Sequence, residues 1–301
     1  MHTGPPLNPA PRVGVAVITR NRCDSLLRTL DRLAALPERP PVVVLDNAST
    51  DGTTEAVRVL HPGVRVRRLG RNHGAVARTL GVAMLRTPYV AFSDDDSWWQ
   101  PGALSAAARL FDDHPRLGLL AAATRVGEDG RPDPLDPLLA GSPLGTSDDL
   151  PGPSVLGFLA CASVVRRSAF LQVGGFHPVL HFGGEETLLA LDLAAAGWGV
   201  AHHPGVVAVH HPDPRPRPGR SVRTRRNDLL TCWLRRPWTR IARQTAALAR
   251  EAGHDWASAR ALAGALPRLP AALAARRRLP TEVEEALSLL ERTPPVPLAP
   301  R

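Results

Sequence analysis

The sequence predicts an α/β fold with a mainly parallel central sheet, followed by a C-terminal α-helical extension. Three observations predict it. Short apolar runs alternate with stretches of helical apolar spacing across residues 12–211. Carboxylates follow two of those runs directly: Asp46 after Val42-Val43-Val44-Leu45, and Asp94, Asp95 and Asp96 after Tyr89-Val90-Ala91-Phe92-Ser93. Strand C-termini in such a sheet line the ligand crevice, so both sets should converge there. Beyond Pro212 the chain turns arginine-rich, and prolines break it into helical stretches.

Each element has its own signal. Val13–Thr19 is an apolar run bounded by polar residues and reads as the first strand. Residues 24–36 place Leu26, Leu27, Leu30, Leu33 and Leu36 at helical spacing, with Asp24 as N-cap and Pro37 as stop. A strand at 42–45, a helix at 53–60, a strand at 64–69 and a helix at 74–86 follow. A strand at 89–92, a helix at 103–111 and a strand at 117–124 continue the alternation, and the short connections imply right-handed crossovers. Residues 125–153, rich in Pro, Gly and Asp, read as a long loop near the site, of the kind that serves as a lid. A strand at 156–165 and a helix at 167–173 closed by Gly174-Gly175 come next. An amphipathic helix at 185–196 and strands at 200–203 and 206–210 complete this part. A Pro-Arg linker at 212–220 leads to helices at 221–234, 238–253, 257–266 and 281–291. Residues 1–11 have no apolar core and read as a disordered lead rather than a signal peptide.

Bulk properties narrow the class. With 301 residues and 44% hydrophobic content the chain can bury a large core. No apolar stretch approaches the roughly 18–20 residues that span a bilayer. Three scattered cysteines without a C-x-x-C pair suggest neither a disulfide framework nor a zinc site, and point to a reduced cytoplasm. No Gly-x-Gly-x-x-Gly follows the first strand, which argues against a dinucleotide site. All 37 basic residues are arginine. Residues 212–301 hold 18 of them against 8 acids, which leaves 19 against 20 in residues 1–211.

The acids carry the chemical signal. Three adjacent carboxylates repel one another and call for a cation. In the Asp-x-Asp pattern, Asp94 and Asp96 face one side of an extended segment. Hard oxygen ligands of this kind suit Mg²⁺ or Mn²⁺, with a diphosphate completing the shell. Glu185 and Glu186 open a helix, where its dipole alone would favour them. Asp51 before Gly52-Thr53 reads first as a helix cap. Asn72 and Gly74 suit a turn. The pattern as a whole suggests metal-assisted transfer from a phosphorylated donor.

Four motifs in order resemble the family 2 glycosyltransferases of GT-A fold. They are Thr19-Arg20-Asn21-Arg22, Asp46-Asn47-Ala48-Ser49-Thr50-Asp51-Gly52-Thr53, the segment from Asn72 and Gly74 to Ala77, Arg78 and Gly81, and the Asp94–Asp96 triplet. The resemblance covers roughly residues 12–211 and implies a GT-A Rossmann-like sandwich. It implies an inverting, metal-dependent transfer of a sugar from a nucleotide-diphosphate sugar to an acceptor hydroxyl on a glycan, a lipid-linked carrier or a small molecule. It assigns Thr19, Asn21, Arg22, Asp46, Asn72, Gly74, Arg78, Asp94 and Asp95 to the donor, and Asp94, Asp96 and His210 to the metal, with His211 as the fallback. It makes Glu186, beside Glu185, the general base. The chain departs from the family in having Glu rather than Asp at 186, Thr79 where Asn is frequent, and Asp192 where Arg is frequent.

Nine arginines between Arg215 and Arg240, with Trp233 and Trp238, leave two readings. They are solvated helix faces packing partly onto the acidic catalytic part, or a surface for an anionic partner such as the inner face of a membrane. No nucleic-acid-binding module is recognisable. The alternatives to a transferase are a sugar nucleotidyltransferase, whose glycine-rich loop after the first strand is missing, and a non-catalytic basic scaffold, against which the intact acid set argues.

Overall fold

The computed structural model describes residues 11–213 and 219–293. Residues 1–10 of the expected lead, and most of the 212–220 linker, lie outside the described residues. The strands in chain order are β1 (Val13–Thr19), β2 (Val42–Asp46), β3 (Arg65–Arg68), β4 (Tyr89–Asp94), β5 (Ser97–Trp99), β6 (Leu117–Val126), β7 (Arg131–Pro132), β8 (Ser163–Arg166) and β9 (Gly199–His210). They form one sheet in the order β3-β2-β1-β4-β8-β6-β9-β5, with β7 paired to the far end of β6. β1 to β4 are mutually parallel, and β6 and β9 run the same way across the antiparallel β8. The central sheet is thus mostly parallel.

The helices are α1 (Cys23–Ala34), α2 (Thr53–Leu60), α3 (Val76–Met84), α4 (Ala103–Asp113), α5 (Asp136–Ala140), α6 (Arg167–Gln172) and α7 (Glu185–Ala195), then α8 (Arg220–Arg235), α9 (Trp238–Glu251), α10 (Trp256–Ala265), α11 (Leu269–Ala274) and α12 (Thr281–Arg292). β1 shows why the sheet is covered on both faces. Its Val13, Val15 and Val17 enter one core with Leu26, Leu30 and Leu33 of α1 and Phe111 of α4. Its Ala16 and Ile18 enter another with Val82 of α3 and Leu189 of α7. A strand buried on both sides reads as a continuous apolar run, as this one does.

Four expectations are corrected. Helix α1 starts at Cys23, so Asp24 lies within its first turn, and the Cys23 amide donates instead to Asp51 Oδ2 at 3.2 Å. The strand expected at 156–165 is confined to β8; before it the chain makes a short 3-10 turn at Ala160–Ala162. An apolar run without alternation cannot distinguish a strand from another buried segment. The two strands expected at 200–203 and 206–210 are one, β9, with a register shift where His203 pairs with Ala122 and Val207 with Ala123. Pro204, which has no N–H to donate, falls in that gap. The loop at 125–153 is pinned to the sheet edge by β7 and α5, with the Thr124 amide donating to Asp136 at 3.0 Å.

The apolar side chains of helix α7 point to several sides rather than along one amphipathic stripe. Leu189, Ala190 and Leu193 face the sheet, Leu188 joins the core of α8 to α11, and Leu191 packs against Val283 of α12. A helix with apolar residues on several sides must be covered on each of them. The C-terminal helices supply the cover that the sheet cannot.

Candidate active site

A cleft of about 380 Å³ opens where β1 and β4 end. Thr19, Arg20 and Arg22 approach from β1, Asn47 and Asn72 from the next loops, and Asp94, Asp95 and Asp96 from β4. His181, Phe182 and Arg223 close the far wall.

The acidic triplet is divided between two cations. Arg22 reaches Asp95 Oδ1 at 2.7 Å through Nε and Asp96 Oδ2 at 3.0 Å through Nη2. The Thr19 hydroxyl donates to Asp95 Oδ2 at 3.0 Å. Burial, opposed by Arg22 but reinforced by Asp96 and Asp94, pushes the Asp95 carboxyl up to about 7. Asp94 turns the other way and pairs with Arg78, whose side chain is 1% exposed. Burial works against the Arg78 charge, but Asp94, Glu185 and Glu186 together outweigh it and raise the guanidinium above its ordinary value. The Phe176 ring, 5.7 Å from the guanidinium, backs it, so the Gly174-Gly175-Phe176 turn supports the site from beneath.

His210 ends β9 with Nε2 3.5 Å from Asp96 Oδ1. The neighbouring His211 ring packs on Trp98 at 4.7 Å. Two ligand atoms at roughly 2.1 Å from a metal and at right angles stand about 3 Å apart. The Asp96 and His210 pair is therefore close to a chelating separation, and the chemistry of a carboxylate with an imidazole fits a divalent cation. Among the described residues no three His, Cys, Asp or Glu side chains enclose a metal by themselves.

Three residues expected on the donor do not line the cleft: Arg78, Asp46 and Asn21. Asp46 is fully buried; its Oδ1 accepts the Ser49 amide at 2.8 Å and its Oδ2 accepts the Thr54 hydroxyl. It ties its own loop to α2, and Asn47 lines the cleft instead. Asn21, at φ 53°, accepts the Thr50 amide at 2.8 Å and so joins the first two loops. The N-cap of α2 is Gly52 rather than the expected Asp51, which lies one residue earlier and accepts the Thr53 amide at 3.2 Å besides that of Cys23. Asn72 and Gly74 line the cleft. A Cβ on Gly74 would lie 2.1 Å from the His181 carbonyl, so glycine there is required by a close approach as well as by its φ of +59°.

Glu185 and Glu186 begin α7 just past Gly183 and Gly184, both at positive φ. Glu185 accepts its neighbour Gly183 N–H and faces Arg78 Nη1 at 3.8 Å. Burial, then Glu186, raises its carboxyl. Glu186 is raised chiefly by burial, with the Ala160 amide and Arg78 opposing and Asp94 adding. A single buried arginine thus sits between the triplet and the α7 acids.

Sequence reasoning missed the far wall. The turn at 180–184 is gripped from two sides. Ala75 N donates to the His181 carbonyl at 2.7 Å. From α8, Asn227 Nδ2 donates to the Phe182 carbonyl at 3.1 Å and the Gly183 carbonyl at 2.5 Å, and Arg226 donates to the Leu180 carbonyl at 3.0 Å. Nothing in the local pattern of 221–234 signals this, because it depends on how α8 docks. The same docking engages several arginines of the described part of 215–240 in ion pairs within the fold. Arg235 is buried in a two-bond pair with Asp192 at 2.5 and 2.8 Å, Arg236 binds Glu284 and Glu291, and Arg225 binds Glu251 at 2.9 Å. The family model for glycosyl transferase family 2 matches residues 14–174, more than half of the chain.

The chain belongs to glycosyl transferase family 2. This glycosyltransferase is 32% identical over 232 residues to the N-acetylglucosaminyl-diphospho-decaprenol L-rhamnosyltransferase of Mycobacterium tuberculosis, covering 65% of the chain and 75% of that relative. It is 29% identical to the pre-mycofactocin glycosyltransferase of the same organism, over 69% of the chain and 45% of the relative. Its fold is that of a mannosyltransferase from Pyrobaculum calidifontis solved with GDP-Man and Mn²⁺, with a TM-score of 0.59 at 21% identity, over 93% of this chain and 86% of that one. The glycosyltransferase also superposes on residues 1–349 of TarS from S. aureus solved with UDP-GlcNAc, with a TM-score of 0.57 at 17% identity, over 79% of this chain and 71% of that one. These are GT-A folds. Among the described residues of the glycosyltransferase no helix is long and apolar enough to cross a membrane.

Proposed function

We propose that the chain transfers a sugar, with inversion, from a nucleotide-diphosphate sugar to an acceptor hydroxyl, using Mg²⁺ or Mn²⁺. The observation that carries the reading is Asp96 beside His210, 3.5 Å apart, next to a cleft that also holds Asp94 and Asp95. Asp96 and His210 would hold the cation and leave the rest of its shell for phosphate oxygens and water. When bound, such a cation supplies positive charge against which a diphosphate can depart.

The remaining roles belong to this chain's own groups. Asn47, Asn72 and Thr19 offer hydrogen bonds along the cleft wall to the nucleotide. Arg22 lies between Asp95 and Asp96 and is free to exchange one carboxylate for a phosphate as donor enters. Glu186, raised by burial, takes the proton of the attacking hydroxyl. Arg78 sits between Asp94 and Glu185 and offsets the repulsion between the two acidic groups. The acceptor favoured by the mycobacterial rhamnosyltransferase relative is a sugar carried on a polyprenyl diphosphate.

Titration calorimetry with UDP, GDP and dTDP, with and without Mn²⁺, tests the donor site. One nucleotide should bind at least about tenfold more tightly with the metal, and Asp96→Ala should erase that difference. Equal affinity with and without Mn²⁺ in the wild type would remove the metal from the reading.

A further inference from the structure

Helix α10, a 3-10 turn at Leu266–Arg268 and helix α11 follow one another without an extended residue between them. Together they form one rod, and its two sides differ. Ser258, Ala261, Ala265 and Ala272 are buried toward α8 and its neighbours. On the other side, at successive intervals of seven, three, four and three residues, lie Trp256 (75% exposed), Ala263, Leu266 (52%), Pro270 and Leu273 (40%). Close to the end of the rod stands Trp238, 63% exposed. Each exposed tryptophan carries an arginine on its face: Arg260 lies 5.7 Å above the Trp256 ring, and Arg276 lies 4.4 Å above the Trp238 ring. Between Asp255 and Glu282 there is no acid, while Arg260, Arg268, Arg276, Arg277 and Arg278 fall in that interval.

We propose that this face of the α10–α11 rod is a docking surface for an anionic lipid bilayer, on which the protein lies without spanning it. Single large apolar side chains separated by arginines suit the headgroup boundary, where the rings enter and the guanidiniums meet phosphates. A second copy is disfavoured by charge. A two-fold contact would place this acid-free, arginine-bearing stripe against itself. Apart from Trp238, the surface lies outside the segment between Arg215 and Arg240, whose buried arginines are occupied by Asp192, Glu284 and Glu291. It does not depend on the acceptor, so it can fail or hold independently of the lipid-linked reading above.

The test is co-sedimentation of the full chain with vesicles that contain no acceptor. Phosphatidylcholine alone is compared with phosphatidylcholine carrying about a third phosphatidylglycerol. The bound fraction should rise at least about fivefold with the anionic lipid and fall again at high salt. The Trp256→Ala/Leu266→Ala/Leu273→Ala variant should lose most of that binding while its thermal melt and donor nucleotide affinity stay unchanged. Arg260→Gln/Arg276→Gln should lose the preference for anionic lipid. Binding indifferent to lipid charge, or no binding, would overturn the proposal. So would a concentration-dependent dimer in sedimentation velocity that the triple variant abolishes, since the face would then belong to a second copy.

Discussion

At the scale of single residues, the site turns on how few cations face how many acids. Glu186→Gln should keep donor binding and lose about 10²- to 10⁴-fold in turnover, the range expected for a general base. The pH profile follows from the direction of its shift. Burial raises Glu186 above the ordinary glutamate value of 4.5. Turnover should therefore climb with pH through that raised value and level off above it, because the base acts only when ionised. A Glu186→Gln enzyme of normal turnover would remove it from this role. Arg78→Leu leaves Asp94 and Glu185 without their shared partner, and stripping one member from a buried ion pair costs about 3–5 kcal/mol, toward the low end here because Asp94 is partly exposed. The loss, read from urea melts, should shrink as pH falls and the raised Glu185 takes up its proton. The triplet was legible in the sequence because three charges end an apolar strand. Asp46 and Asn21 were not, since whether a polar side chain turns to a ligand or inward is decided by partners in other loops: Thr54 for the first, Thr50 for the second.

At the scale of elements, the alternation of β1 to β4 with α1 to α3 could be read closely, because β1, β2 and β4 are apolar runs and α1 has a leucine stripe, whereas the exposed β3, Arg65–Arg68, is short and arginine-rich. The irregular path into β8 and the gap in β9 could not, since both are settled by register against β6. Nor could the grip of α8 on the turn before α7, where Asn227, 0% exposed, serves two carbonyls. Asn227→Ala leaves those carbonyls without donors, at about 1–3 kcal/mol. If the residue positions α7, kcat should fall more than tenfold while the donor KM changes little, and Asn227→Gln should restore part of the rate. A fall in kcat matched by the loss of folded fraction in a thermal melt would point to general unfolding instead.

At the scale of the whole molecule, the C-terminal helices are a wall of the cleft and a cover for α7 rather than a tail. Arg223 lines the cleft, and Leu188 and Leu191 of α7 are buried against α8 to α12. A chain ending at residue 211 exposes both leucines and leaves Asp192 without Arg235. It should lose cooperative melting and all transfer, as measured by calorimetry and a donor-consumption assay; a soluble, active truncation would show the helices to be dispensable. The composition shift past Pro212 was visible in the sequence, but the seam that α7 makes with the helices beyond it was not. That seam carries a polarity of its own. Asp192 stands where family members often have arginine, and Arg235 answers it from the opposite side. Grafting these helices onto a relative with arginine at that position would set two guanidiniums face to face, so hybrids among such enzymes should fold only when both partners of the pair are exchanged together.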